Sequence, residues 1–141
     1  GLRRHPDHPM PHACMLNVLA LGEAPPDPAA ARAHFEALTR NGIGPATEAH
    51  YRFLLAAVLG RAGQPDSARV ALEEARRAAD RSMGPGSLFW VEAGVRFRLG
   101  QPEIAQRLMD ELWKRAPEEA AYNASRRILR DYVAPPPTLP G

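Results

Sequence analysis

The chain has 141 residues, of which 45% are hydrophobic and 24% are charged, and its formal net charge is +2. These values indicate one globular domain that can bury a core without disulfides, and so small a net charge does not by itself imply a nucleic-acid ligand. The single cysteine, Cys14, excludes an intramolecular disulfide and a zinc site built on several thiolates, and the chain has no run of 18 apolar residues that could form a membrane span.

Residues 1–11 are rich in proline and histidine, and we expect them to form a surface lead-in to a repeat domain of residues 12–133. They lack the apolar core of a secretory signal. His8, His12 and Cys14 are residue types that bind metals, but their spacing fits no familiar site and no second half of a site is evident. The sequence therefore predicts neither a metal nor a cofactor.

A proline recurs every 37 residues and opens three predicted helices. Proline suits the first position of a helix because that position needs no N–H donor and proline presets its backbone angle. After each proline the same apolar face recurs at i, i+4 and i+7, which is helical spacing. The recurring residues are Pro28, Pro65 and Pro102; Ala31, Ala68 and Ala105; Phe35, Leu72 and Met109; and Leu38, Ala75 and Leu112. A period of this length is typical of stacked helical repeats.

Each of these helices follows another predicted helix, and the two form an antiparallel hairpin. In the first helix of each pair a large residue precedes a small one by four positions, so that knobs and notches of neighbouring hairpins can pack closely. These residues are Leu16 with Ala20, Phe53 with Ala57, and Trp90 with Gly94. The sequence thus predicts three hairpins separated by turns rich in glycine and proline.

A last helix is predicted over residues 118–133, where it would cap the exposed face of the third hairpin. Residues 134–141 contain four prolines and are expected to form an extended or disordered tail.

The third repeat resembles the tetratricopeptide signature, and residues 31–45 followed by Tyr51 resemble the pentatricopeptide pattern. The residues that carry the first resemblance are Trp90, Gly94, Phe97, Gly100, Ala105, Met109, Leu112 and Pro117. The predicted fold is an all-α, right-handed α-solenoid of three antiparallel helix hairpins with a 37-residue period, plus a C-terminal capping helix.

Such a fold predicts a non-catalytic scaffold or adaptor, or a subunit of a larger assembly, because the first helices of stacked hairpins line a groove that accepts a helix or an extended peptide. Arg61 and Arg98 lie 37 residues apart and could form a ladder for an acidic partner. The candidate groove residues are His50, Arg61, Val91, Val95 and Arg98. No Ser or Cys accompanies His34 or His50 in a pattern that would indicate nucleophilic catalysis.

The alternative is a pentatricopeptide-like, RNA-associated component of an organellar ribonucleoprotein or ribosome. Arginines would then contact phosphates without reading sequence. The candidates are Arg76, Arg77, Arg81, Arg126, Arg127 and Arg130. In either case we expect a soluble intracellular protein in a reducing compartment, with the mitochondrial or chloroplast matrix among the options.

Overall fold

The computed structural model describes residues 9–84 and 86–129, and within these ranges the regular secondary structure is entirely helical. The predicted all-α class is confirmed. The α-helices are α1 (Pro9–Leu21), α2 (Pro28–Arg40), α3 (Pro45–Arg61), α4 (Pro65–Met83), α5 (Phe89–Arg98), α6 (Pro102–Arg115) and α7 (Pro117–Asn123), followed by one 3-10 turn (Arg127–Leu129). Among the described residues no helix is both long and apolar enough to cross a membrane.

Local sequence signals explain where the helices begin and end. Pro28, Pro65 and Pro102 are each the first residue of a helix, as predicted. Helices α3 and α5 are each followed, two residues after their last residue, by a glycine, Gly63 and Gly100, whose φ angles of 80° and 78° are in the left-handed region that glycine adopts without steric cost. In both turns the next amide bonds back to the carbonyl five residues earlier, which satisfies the helix end in a Schellman motif.

The helices pack in pairs, α1 on α2, α3 on α4 and α5 on α6, and the first helices of the pairs also contact each other, α1 with α3 and α3 with α5. The apolar columns of the sequence form the interior. Ala31, Ala68 and Ala105 are at most 3% exposed. Residues 53–59 of α3 are all buried, so this part of the central helix has no solvent-facing side.

The predicted capping helix is longer than the helix that the structure shows. Helix α7 ends at Asn123, and the 3-10 turn begins four residues later, while residues 130–133 lie outside the described part of the chain. The side chain of Asn123 bonds to the carbonyl of Glu119 and accepts a hydrogen bond from Arg126. Local bonds of this kind compete with helix continuation. They redirect the chain toward α5.

The predicted lead-in is also shorter than expected. Residues 9–11 belong to α1, because prolines in the first turn of a helix lose no intrahelical hydrogen bond. Residues 1–8 and the predicted tail, residues 134–141, lie outside the described residues.

Candidate functional site

A short C-terminal segment lies on α5 at the place where the sequence predicts a partner groove. This segment, residues 126–129, is called the strap below. Ile128 and Leu129 are 6% and 3% exposed, and Ile128 sits directly against Gly94 of α5. A Cβ atom on Gly94 would lie 2.6 Å from both Ile128 Cγ1 and the Ile128 carbonyl oxygen. Gly94 is therefore a notch that the chain's own strap fills.

Arg98, one turn along α5 from Gly94, holds the main chain of the strap. Its Nη2 donates to the carbonyls of Arg127 and Ile128, at 3.3 and 3.2 Å. The equivalent residue of the previous pair, Arg61, donates from Nη1 to the carbonyl of Leu19 at 2.9 Å. The two predicted ladder arginines thus both bind main-chain carbonyls of this chain, which differs from the expectation that they extend toward an acidic partner.

Val91 and Val95 do not line an open groove. Both are 0% exposed, and they lie among the inward-facing residues of α5. Their place in the predicted groove was wrong because the sequence pattern does not reveal that α5 is enclosed by α3 and α6 on its sides and by the strap. Of the five predicted groove residues, His50, Arg61 and Arg98 keep partial exposure.

Beside the strap, an aromatic patch reaches the surface. It consists of His50 and Tyr51 on α3, Trp90 on α5, Tyr122 on α7 and Arg126 of the strap. The His50 ring meets the Trp90 ring edge-on at 5.5 Å, and the Arg126 guanidinium lies 5.5 Å from the Trp90 centroid and 5.1 Å from that of Tyr122. Tyr122 is 73% exposed. The patch therefore offers aromatic surface and a cation to solvent at one site.

A shallow depression of about 210 Å³ borders the aromatic patch between α3, the end of α4 and the start of α5. Met83 lines it and is 49% exposed. This depression extends the apolar surface of the patch, because His50 and Tyr51 belong to both.

His50 is neutral at the pH of a cell. Burial of its ring, and secondarily repulsion by Arg126, lowers its pKa from 6.5 to about 4. The patch consequently carries one positive charge from Arg126 and none from His50.

Arg76, the first of the predicted phosphate-contacting arginines, forms an ion pair within the chain. Its Nη2 lies 2.6 Å from Oε1 of Glu92 on α5, and Glu92 is 2% exposed. Arg96 approaches the other oxygen of the same carboxylate at 3.2 Å. The sequence analysis missed Glu92 and Arg96. The available signal was an acidic residue between Val91 and Ala93 in an apolar stretch.

The other predicted phosphate contacts divide into three groups. Arg126 stacks in the aromatic patch, and Arg127 pairs with Glu23 of the α1–α2 loop. Arg77 and Arg81 are exposed on α4. Arg130 lies outside the described residues. Of the five that the structure describes, Arg76, Arg126 and Arg127 contact other side chains of this chain, and Arg77 and Arg81 are exposed.

The histidines near the N-terminus form a pair. Nδ1 of His12 on α1 lies 2.8 Å from Nδ1 of His34 on α2, and burial lowers the pKa of His34. Cys14 is exposed, and His8 lies outside the described residues. Within residues 9–84 and 86–129 no three His, Cys, Asp or Glu side chains form a group that could hold a metal ion.

Comparison of the chain with protein-family models, with curated proteins and with solved structures finds no match.

Proposed function

We propose that the chain is a non-catalytic adaptor that binds a protein partner on the face formed by its first helices. In this proposal the three helix pairs form a right-handed α-solenoid of the tetratricopeptide or pentatricopeptide kind with a 37-residue period. Side-by-side packing of α1, α3 and α5 supports that arrangement. The proposal concerns a single partner or a larger assembly of which the chain is a subunit.

The observation that carries this proposal is the aromatic patch. Tyrosine, tryptophan and arginine are the residues that contribute most often to binding energy at protein interfaces. Here Arg126 lies over the rings of both Trp90 and Tyr122, all three reach solvent, and Met83 is exposed at the adjoining depression. A partner that covered this site would remove apolar and aromatic surface from water, which favours association.

An RNA-associated role, as a component of an organellar ribonucleoprotein or ribosome, is the second candidate. The observation in its favour is the exposure of Arg77 and Arg81 one helical turn apart on α4. Two phosphate contacts would suit a peripheral subunit better than a free RNA binder. In both versions we place the chain in a reducing compartment inside the cell, with an organelle matrix as one option, because a lone exposed cysteine suits such a compartment.

Site-specific photo-crosslinking tests the main proposal. A benzophenone side chain replaces Tyr122 in the full chain, which is then illuminated in an extract of its native source, with and without nuclease. We expect one predominant protein adduct that survives nuclease treatment. The matched control carries the same probe at Val70, which is 46% exposed on α4 and outside the aromatic patch.

Equal adducts from positions 122 and 70 would contradict a partner site at the aromatic patch. Adducts that vanish with nuclease and arise from a probe at Arg81, but not from one at Tyr122, would favour the RNA-associated role instead.

A further inference from the structure

The contacts of the strap with the rest of the chain are of the kinds that hold a bound peptide: a side chain in a notch, hydrogen bonds to main-chain carbonyls and an ion pair. One aliphatic side chain, Ile128, fills the notch at Gly94, and Arg98 holds two consecutive carbonyls of the strap. A basic side chain, Arg127, pairs with Glu23 on the α1–α2 loop. Since Nη2 of Arg98 donates to main-chain carbonyls of the strap, this part of the recognition would accept any segment with the same backbone course.

The strap is also joined to the helices by a connection that can act as a hinge. Ala124 and Ser125, between α7 and the strap, are exposed and lie outside regular helix. Short segments outside regular α-helix that are held by few buried side chains open at a much smaller free-energy cost than core helices do. The strap can therefore leave α5 while the three helix pairs stay folded.

We propose that the surface of α5 around Gly94 is a peptide-binding site and that the strap is its built-in competitor. The partner that fits is a protein segment with a basic residue followed by two aliphatic residues, the pattern of Arg127, Ile128 and Leu129. The charge of Glu23 selects the basic residue, the notch at Gly94 selects the first aliphatic residue, and the burial of Leu129 selects the second, while Arg98 holds the carbonyls. This inference rests on the proposed protein-binding function and names the chemistry of the partner.

Displacement of the strap also changes the aromatic patch. Arg126 belongs to the strap, and its guanidinium lies over Trp90 and near enough to His50 to lower the pKa of that histidine. When the strap leaves, Arg126 leaves with it, and the Trp90 face is uncovered. A partner segment at Gly94 would thereby open the adjoining aromatic patch for a second contact, so that the two sites form one interface.

The test uses a fluorescent peptide of residues 124–129 and full-length variants. Ile128→Asp places a charge in the notch and releases the strap, but it leaves the notch itself open to the peptide. Gly94→Ala also expels the strap, because its Cβ would meet the Ile128 carbonyl, yet it blocks the notch for the peptide as well. The two variants thus share a released strap and differ only in the binding site.

Fluorescence anisotropy is expected to show that Ile128→Asp binds the peptide at least about tenfold more tightly than the wild type, in which the tethered strap competes at high effective concentration. Gly94→Ala should bind about tenfold more weakly than Ile128→Asp, and a peptide with aspartate in place of isoleucine should not bind. Circular dichroism checks that both variants keep their helices. If Ile128→Asp loses its helices, Ile128→Ser replaces it in the comparison with the wild type and Gly94→Ala.

Equal affinities of the wild type and both variants, or no binding to a folded Ile128→Asp chain, would overturn the proposal. Sedimentation of the wild type is expected to show a monomer. A dimer that disappears in Ile128→Asp would assign the notch to the strap of a second copy and would likewise overturn it. Because these measurements use only the chain and a peptide, their failure leaves the crosslinking result at Tyr122 unaffected.

Discussion

The guanidinium of Arg76 on α4 lies against the buried carboxylate of Glu92 on α5, with Nη2 2.6 Å from Oε1. Nε of Arg76 bonds to the same oxygen at 2.7 Å. This pair joins the second helix of one hairpin to the first helix of the next. A carboxylate that is 2% exposed needs such a partner, because burial of an unpaired charge is costly.

Arg76→Met is expected to lower the free energy of unfolding by about 1–2 kcal/mol. The loss is smaller than for a fully buried pair because the Arg76 side chain is 39% exposed and Arg96 still pairs with Glu92. Urea denaturation of Arg76→Met, Glu92→Gln and the double variant measures this. The sum of the losses in the two single variants should exceed the loss in the double variant by about 1 kcal/mol. If the sum equals the loss in the double variant, the pair contributes nothing to stability.

Acid should destabilise the chain partly through His50. In the unfolded chain this side chain has an ordinary pKa of 6.5, while burial and Arg126 lower the pKa in the folded chain to about 4. Between these two values the unfolded chain binds a proton that the folded chain does not bind, so stability falls as pH drops from about 6.5 to about 4 and levels off below that. The total loss of stability that His50 can cause in this way is about 3 kcal/mol.

His50→Gln is the variant that isolates this effect. Urea midpoints at pH 7, 5.5 and 4.5 should decrease less steeply for His50→Gln than for the wild type, since all other ionisable groups are unchanged. Parallel pH profiles of the two chains would contradict the lowered pKa, and so would an NMR titration that finds His50 half-protonated near pH 6.5.

Arg61→Lys should destabilise the fold despite conserving the charge. Arg61 donates to the carbonyl of Leu19 in the last turn of α1, and its guanidinium lies against Gly22, so that it ties the end of α3 to the end of α1. A lysine lacks the planar guanidinium that both donates to this carbonyl and lies against Gly22. We expect a loss of about 1 kcal/mol by thermal or urea unfolding. Arg107→Lys, at an exposed site on α6, should stay within about 0.5 kcal/mol of the wild type.

Free RNA should bind weakly and with a shallow dependence on salt. Arg76 and Arg127 are held in ion pairs and Arg126 lies over Trp90 and Tyr122, which leaves Arg77 and Arg81 as the exposed pair on α4 among the described candidates. Two phosphate contacts on single-stranded RNA predict a slope of about −1.4 in a plot of log K against log salt concentration. Filter binding at several salt concentrations measures the slope. A value of about −4 or steeper would contradict the assignment of only two contacts.

The fold class and helix starts could be predicted because they depend on local signals. Pro28, Pro65 and Pro102 each begin a helix, and the alanines three positions later are all buried. Each of these signals lies within a few residues of the helix that it specifies. They can therefore be read from the sequence without knowing which residues are neighbours in the folded chain.

The site depends on contacts between distant residues, and the sequence pattern does not contain them. Ile128 meets Gly94 across 34 positions, and Arg127 meets Glu23 across 104. The sequence predicts one helix over residues 118–133, but the contact with Gly94 favours a chain that turns after Asn123. Val91 and Val95 were misplaced for the same reason, since the positions of α3, α6 and the strap together decide which sides of α5 are covered.

The enclosure of α3 has a consequence for how the chain melts. Helices α1, α2, α4 and α5 all contact α3, and residues 53–59 face them on every side. Neither the first nor the last pair of helices can detach without exposing part of the hydrophobic centre of the molecule to water. Long arrays of repeats often lose their ends first, but this chain should unfold in one sharp transition, and cutting away either outer pair should leave a remainder that does not stay folded.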